Sequence, residues 1–268
     1  KTFNGGAAAN VALVGANLGL KTSLVSAVGG DFKKSNYYEI MESLDVNTDS
    51  LIIVPGETSP TAFVLTDEND DQISYFYWGA AKEFASSKVP TQAISNAEAV
   101  HLATGDPHFN WKCSEEAKRQ ELLVSFDPGQ DLGMYDTDKL RDVITNTTIL
   151  FGNHYEIERI LESLEVDLDG LREIGPKIIV KTCGANGSEI YSNNDKIKVD
   201  AIVREAVDPT GAGDSYRAGF LSRFLNGESL EQSAKFASSV SSFIVEEQGC
   251  QTNMPTFDDA FDRMSEFY

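Results

Sequence analysis

Little in this sequence is basic. Its 268 residues carry 22 Lys+Arg against 42 Asp+Glu, a formal net charge of −20. A surface of that sign repels phosphate backbones and anionic lipid, which argues against nucleic acid and membrane surfaces as partners. It leaves room for a small anion held in a local site. Cysteine is scarce as well. Cys113, Cys183 and Cys250 lie far apart, form no CxxC pair and are odd in number, so reduced thiols in a cytoplasmic protein are the expectation. No apolar run approaches the ~18–20 residues of a spanning helix, and no basic-then-apolar segment opens the chain. The histidines, His101, His108 and His154, fall in no metal-binding spacing and read as surface or satisfied side chains. No GxGxxG follows a strand, which disfavours a dinucleotide-dependent dehydrogenase. Gly15 to Thr22 lacks the spacing of a P-loop, and Gly19 reads as the end of a helix.

What is present is the composition of a folded chain, with 41% hydrophobic and 24% charged residues. The pattern alternates short apolar runs with helical stretches. Helices are expected over 10–18, 37–44, 110–120, 137–144 and 156–164, with two more, 214–225 and 229–247, closing the chain. Strands are expected over 23–28, 99–103, 122–126, 148–152 and 177–182. Strand–helix alternation implies right-handed crossovers and a mostly parallel sheet with helices on both faces. Runs at 51–54, 61–66 and 73–78 sit close together, the last two joined by the polar turn 67–71. They read as a small antiparallel appendage. A single α/β domain over 1–268 with an insertion at 51–80 fits best.

The segment richest in chemistry is Asp208-Pro209-Thr210-Gly211-Ala212-Gly213-Asp214, just before an apolar-periodic helix. Glycines let a ligand approach the main chain, and the first N–H groups of a helix form an anion site. Asp214 has two readings: an N-cap, or a base beside a phosphate cradle. Before the first helix, Gly5 and Gly6 either let a ligand approach or only pack tightly, and Asn10 has donors and an acceptor that suit vicinal hydroxyls. The aromatic run Tyr75 to Trp78 either stacks on a base or packs the appendage onto the core. Ala237-Ser238-Ser239 either admits adenine or packs helices closely. Glu162, Glu165, Asp167 and Asp169 read as a solvated acidic face.

These segments, in this order, resemble the ribokinase (phosphofructokinase-B) family of small-molecule kinases over nearly the whole chain. Gly5-Gly6 with Asn10 and Ala12 is similar to the family's first signature, and Val28 to Phe32 to the turn that follows it. Asn153-His154-Tyr155-Glu156 matches its N-x-x-E motif, Lys181 to Gly187 its nucleotide-side loop, and Asp208 to Asp214 its second signature. Asp71-Gln72-Ile73, Phe76 to Ala80, Asp127-Pro128-Gly129-Gln130, Tyr216 to Leu221 and Glu246 to Gln251 look like the adenosine and nucleoside kinase branch.

The resemblance implies a three-layer ribokinase-like fold with a β lid. It also implies an ATP-dependent kinase acting on a nucleoside, adenosine first, with a simple sugar as the runner-up and a non-catalytic nucleotide or sugar sensor as a weaker third. It assigns Asp214 as general base and Gly211, Ala212 and Gly213 as anion hole. Asn153 and Glu156 fall near the phosphates and Mg²⁺, with Glu156 acting through water. Thr182, Gly184 and Gly187 fall on the ATP side, and Gly5, Gly6, Asn10 and Gln72 on the substrate. Asp208 and Thr210 stand where some relatives bind a monovalent cation such as K⁺. A homodimer through the lid is a further expectation. The family sets a strand with a substrate-gripping acidic residue before the Gly-Gly segment, so Lys1 is expected to begin inside a folded unit.

Overall fold

The computed structural model describes residues 1–66, 72–192 and 195–268. Among them run α1 (Ala7–Asn17), β1 (Ala27–Gly29), α2 (Asn36–Ser43), β2 (Ile52–Val54), β3 (Thr61–Thr66), β4 (Gln72–Tyr77), α3 (Thr91–Ser95), β5 (Ala99–Leu102) and α4 (Pro107–Arg119). There follow β6 (Leu123–Phe126), α5 (Thr137–Asn146), β7 (Ile149–Asn153), α6 (His154–Leu164), α7 (Leu168–Ile174), β8 (Ile178–Thr182), β9 (Ser188–Ser192) and β10 (Asp195–Val199). The chain closes with α8 (Ala212–Phe224), α9 (Leu230–Ile244) and α10 (Phe257–Phe267).

The main sheet has the order β10-β9-β8-β7-β6-β5. Strands β5 to β8 are parallel, while β9 and β10 turn antiparallel at one edge. Alternate residues of the parallel strands face opposite layers, as the two-residue period of a strand requires. Leu150 and Ile179 pack with Ala117, Leu140, Ile157 and Leu171 of α4 to α7. Ile149, Phe151, Ile178 and Val180 pack instead with Tyr216, Phe220 and Ala237 of α8 and α9. Covering both faces explains why β7 reads as an unbroken apolar run. Helix α1 joins two smaller clusters, one with α2 and β1 and one with α9 and α10.

Three expectations are corrected. The strand over 23–28 contracts to Ala27–Gly29, with a single bridge from Ser23 to Asn47 before it. The run at 51–54 is not part of an antiparallel meander: β2 pairs in parallel with β1, Ala27 opposite Ile52. The physical reason is that α2 stands between them in sequence, and parallel strands need such a crossover. Two closing helices become three, because α10 follows a capping box in which Thr256 and Asp259 exchange side-chain-to-backbone hydrogen bonds. Thr256-x-x-Asp259 was its sequence signal.

The hairpin β3–β4 is antiparallel, with Phe63 opposite Tyr75. Its aromatics do not pack onto the core: Tyr75 is 57% exposed and Trp78 42%. The turn 67–71 that joins its strands, including Asp71, lies outside the described residues, as does the side chain of Gln72.

Candidate active site

Parallel α/β sheets gather chemistry outside the carboxyl ends of their strands, where the first turns of the following helices converge. Here β6 ends at Phe126 and leads into Asp127-Pro128-Gly129, β7 ends at Asn153, and β8 ends at Thr182. Register aligns the last two, Asn153 opposite Thr182. A cavity of ≈ 250 Å³ opens beside these ends, lined by Gly129, Gln130, Asn153, Glu156 and Arg159 among others.

Asp214 stands on the third residue of α8, not at its N-cap. The cap is Gly211, in the left-handed region at φ 82°, and no side chain caps the helix. The N-cap reading of Asp214 therefore fails, and its carboxylate is left for other work. A side chain at Gly211 would be strained and would also bring a Cβ within 2.7 Å of Cys250 Cβ. Ala212 N–H donates to the Pro209 carbonyl at 3.2 Å, and Ser215 N–H makes the first α-helical bond, to Gly211. Between these two donors, the N–H groups of Gly213 and Asp214 belong to the first turn, whose donors have no acceptor within the helix.

The Asp214 carboxylate is held from the opposite side. Asn10 Nδ2 donates to its Oδ2 at 2.7 Å, 204 residues away in sequence. Asn10 is itself fixed: Gln251 Nε2 donates to Asn10 Oδ1 at 2.7 Å and to the Tyr37 hydroxyl at 2.7 Å. That hydroxyl donates to the Gly5 carbonyl at 2.9 Å. The first signature and the second thus meet through one relay. The sequence reading had no role for Tyr37 and placed Gln251 only within a branch-like stretch. Nothing in local sequence tells that either side chain reaches Asn10.

Burial pushes the Asp214 carboxyl up to about 6, against the pull of Arg217 and the Asn10 hydrogen bond. Asp127 and Glu156 add their charges to the upward push. Each of those two is itself raised, first by burial. Three carboxyl groups therefore surround the guanidinium of Arg217, a residue the sequence reading quoted without a role.

Asn153 and Glu156 form a capping box on α6. Glu156 N–H donates to Asn153 Oδ1 at 2.9 Å, and Asn153 N–H donates to Glu156 Oε2 at 2.7 Å. The N-x-x-E motif has a structural job, and the same job aims a carboxylate at the cavity. Thr182 Oγ1 stands 3.5 Å from the Gly152 carbonyl. Beyond it, Gly184 to Asn186 make a short turn, closed where Cys183 N–H donates to the Gly187 carbonyl at 2.8 Å. Asp208 binds main chain with both oxygens, Oδ1 from Thr210 N–H and Oδ2 from Gly249 N–H, each at 3.0 Å. Burial raises it, but hydrogen bonds from Thr210 and Gly249 outweigh that and hold it below its ordinary value.

Two further readings are settled by packing. Ala237 lies in the core, Ser238 Oγ accepts from Ile202 N–H, and Ser239 Oγ donates to the Ala260 carbonyl. The small residues of α9 serve close packing. His101 is only half satisfied. One ring nitrogen lies 2.9 Å from Ser125 Oγ while Nε2 is buried without a partner, and burial beside Arg217 lowers it to about 3.

The sequence signature of the pfkB family carbohydrate kinases matches residues 1–257. The chain belongs to that family. It is 57% identical over 265 residues to a nucleoside kinase of Methanothermobacter thermautotrophicus, covering 99% of this chain and 85% of the relative. A nucleoside kinase of Methanocaldococcus jannaschii is 43% identical over 265 residues, covering 98% of this chain and 86% of that one. The crystal structure of the Methanocaldococcus jannaschii nucleoside kinase, an archaeal member of the ribokinase family, superposes with a TM-score of 0.95 at 42% identity, covering 99% of this chain and 88% of that one. The fold is ribokinase-like and the chain is a small-molecule kinase.

Proposed function

We propose that this kinase transfers the γ-phosphoryl group of ATP to a primary hydroxyl of a nucleoside, adenosine-like before other classes. The observation that carries the reading is the Asp214 carboxylate at the amino end of α8, clear of capping duty and oriented by Asn10 at 2.7 Å. The identity to two archaeal nucleoside kinases supports the choice of acceptor over a simple sugar.

Chemistry follows from the geometry. The acceptor hydroxyl oxygen attacks the γ-phosphorus, its proton passes to Asp214, and ADP leaves with the electron pair of the broken P–O bond. Phosphoryl transfer asks mainly for positioning and charge neutralisation. In this reading Gly211, Ala212 and Gly213 form the anion hole. The Ala212 amide donates to Pro209 as the loop stands, which leaves the Gly213 and Asp214 amides as the first-turn donors.

Mg²⁺ takes oxygen ligands and is commonly held by one carboxylate plus phosphates. Glu156 suits it, because the cap occupies only Oε2. When bound, the ion neutralises charge on the phosphates. Thr182, Gly184 and Gly187 line the ATP side, and Gly5, Gly6, Asn10 and Gln72 the acceptor side. We assign K⁺ to Asp208 and Thr210, read residues 1–268 as one kinase domain, and read 51–80 as its lid. Exposed Phe63, Leu65, Ile73 and Tyr75 on that hairpin suit a second copy of the chain. The three free thiols suit the reducing cytoplasm.

The test is ADP release from Mg-ATP over a panel of nucleosides and sugars, with and without K⁺, and sedimentation for the dimer. Nucleosides turn over and sugars do not. No turnover on any acceptor sinks the kinase reading; turnover of sugars alone moves it to the runner-up.

A further inference from the structure

Arg217 stands on α8 one turn beyond Asp214, and only 6% of it is exposed. A buried guanidinium is tolerated only when paired. Its Nε lies 2.5 Å from Asp127 Oδ2, and its Nη1 lies 4.0 Å from Asp214 Oδ1. The Nε–H is poorly aligned for a hydrogen bond, so the tie to Asp127 is mainly Coulombic. Asp127 is 2% exposed and directly follows β6. The pair therefore fastens the first turns of α8 to the carboxyl end of the sheet.

Gly213 supplies an independent observation. A Cβ at that position would collide with Arg217 Nη1. The space that a side chain in the loop would fill is taken by the guanidinium, so the main chain of the loop rests on a cation. Helix termini contribute only a partial charge. Arg217 sets a guanidinium behind that end, where it offsets the carboxylates of Asp127 and Asp214 in a chain of net charge −20.

We infer that Arg217, clamped by Asp127, is a positioning residue for phosphoryl transfer: it braces the Gly211–Gly213 loop from behind, orients the Asp214 carboxylate, and offsets the negative charge gathered beside the anion site. The inference rests on reading Asp214 as the base. Five titratable groups face Asp214: Arg217 from its own helix, Asp127 from the end of β6 and Glu156 from α6, whose charges act on it, with Tyr37 from α2 and Cys250 from the loop after α9, both neutral while Asp214 titrates. Arg217 is the cation among them. Asp127 serves by holding it, although its own charge opposes ionisation of Asp214. Arginine suits the position because its planar fork spreads its charge and donors between two carboxylates in a fixed geometry, where an ammonium is a point charge.

The experiment measures kcat, nucleoside KM and the acid limb of kcat for wild type, Asp127→Asn, Arg217→Lys and the double variant Arg217→Met/Asp127→Asn, with folding checked by circular dichroism. The double variant leaves neither of the paired charges buried alone. Wild-type turnover and its loss in Asp214→Asn test the underlying reading separately. In the double variant kcat falls about tenfold or more, nucleoside KM stays within about threefold, and the acid limb moves up by about one pH unit. In Asp127→Asn the limb moves the opposite way, because a negative neighbour is lost and the cation kept. Arg217→Lys restores part of kcat. A folded double variant with the wild-type kcat and limb overturns the inference. So does a lowered kcat with an unmoved limb and no recovery in Arg217→Lys, which assigns the pair to structure alone. If the double variant does not fold, Asp127→Asn decides: a limb that stays or rises overturns the inference.

Discussion

Replacing Asp214 by Asn should make the protein inactive and, at neutral pH, more stable. Burial raises the carboxyl to about 6, from an unfolded value near 3.8. A raised acid favours its neutral form in the fold. The stability this contributes is fully present below 3.8 and is lost as the pH rises through about 6, so at pH 7.5 the ionised group is a net liability. At ~1.4 kcal/mol per pH unit, that liability is roughly 3 kcal/mol. Asparagine keeps an oxygen to accept from Asn10 Nδ2 and removes the charge. The pull of Arg217 is already inside that value, since the carboxyl reaches about 6 against it. A net increase of about 1–3 kcal/mol remains, or a few degrees in Tm for a chain of this size. The assay is thermal unfolding of both proteins from pH 7.5 down to pH 5, with ADP release alongside. The gain should shrink by about half at pH 5, where wild-type Asp214 is largely protonated in the fold. Activity should fall by about 10²–10⁴ at pH 7.5. An unchanged or lower Tm at pH 7.5 would refute the burial argument, and retained activity would refute the base.

Other outcomes follow from the same geometry. Wild-type kcat should lose about tenfold per pH unit below pH 6 and level off above it, as a rate profile would register. Glu156→Gln keeps a side chain able to complete the capping box, so Tm should hold within about 2 °C while the Mg²⁺ needed for half-maximal rate rises several-fold in a metal titration. Gly213→Ala drives a methyl into Arg217 and should cost about 1–3 kcal/mol in urea unfolding, with kcat falling too. Gln251→Met breaks the bonds to Asn10 and Tyr37 and should lower stability by about 1–2 kcal/mol, with nucleoside KM rising.

The layered α/β fold is legible along the chain, because strand–helix alternation admits few topologies and the apolar runs of β7 and β8 demand cover on both faces. So are the Gly211–Gly213 loop and Asp214, whose chemistry is local: glycines, a helix start and a carboxylate within a few residues. The parallel pairing of β2 was misread as part of an antiparallel meander, although the helix between it and β1 was the signal for it. The β9–β10 hairpin was not, since Lys196 and Lys198 sit among residues that would otherwise announce a strand. The company Asp214 keeps is set by folding alone. Asn10 lies 204 residues away in sequence and Gln251 lies 241 from Asn10, and Asp127 meets Arg217 across the end of the sheet. Side chains acquire such partners, and Asp214 its raised pKa, through burial and long-range juxtaposition, which no window along the chain contains.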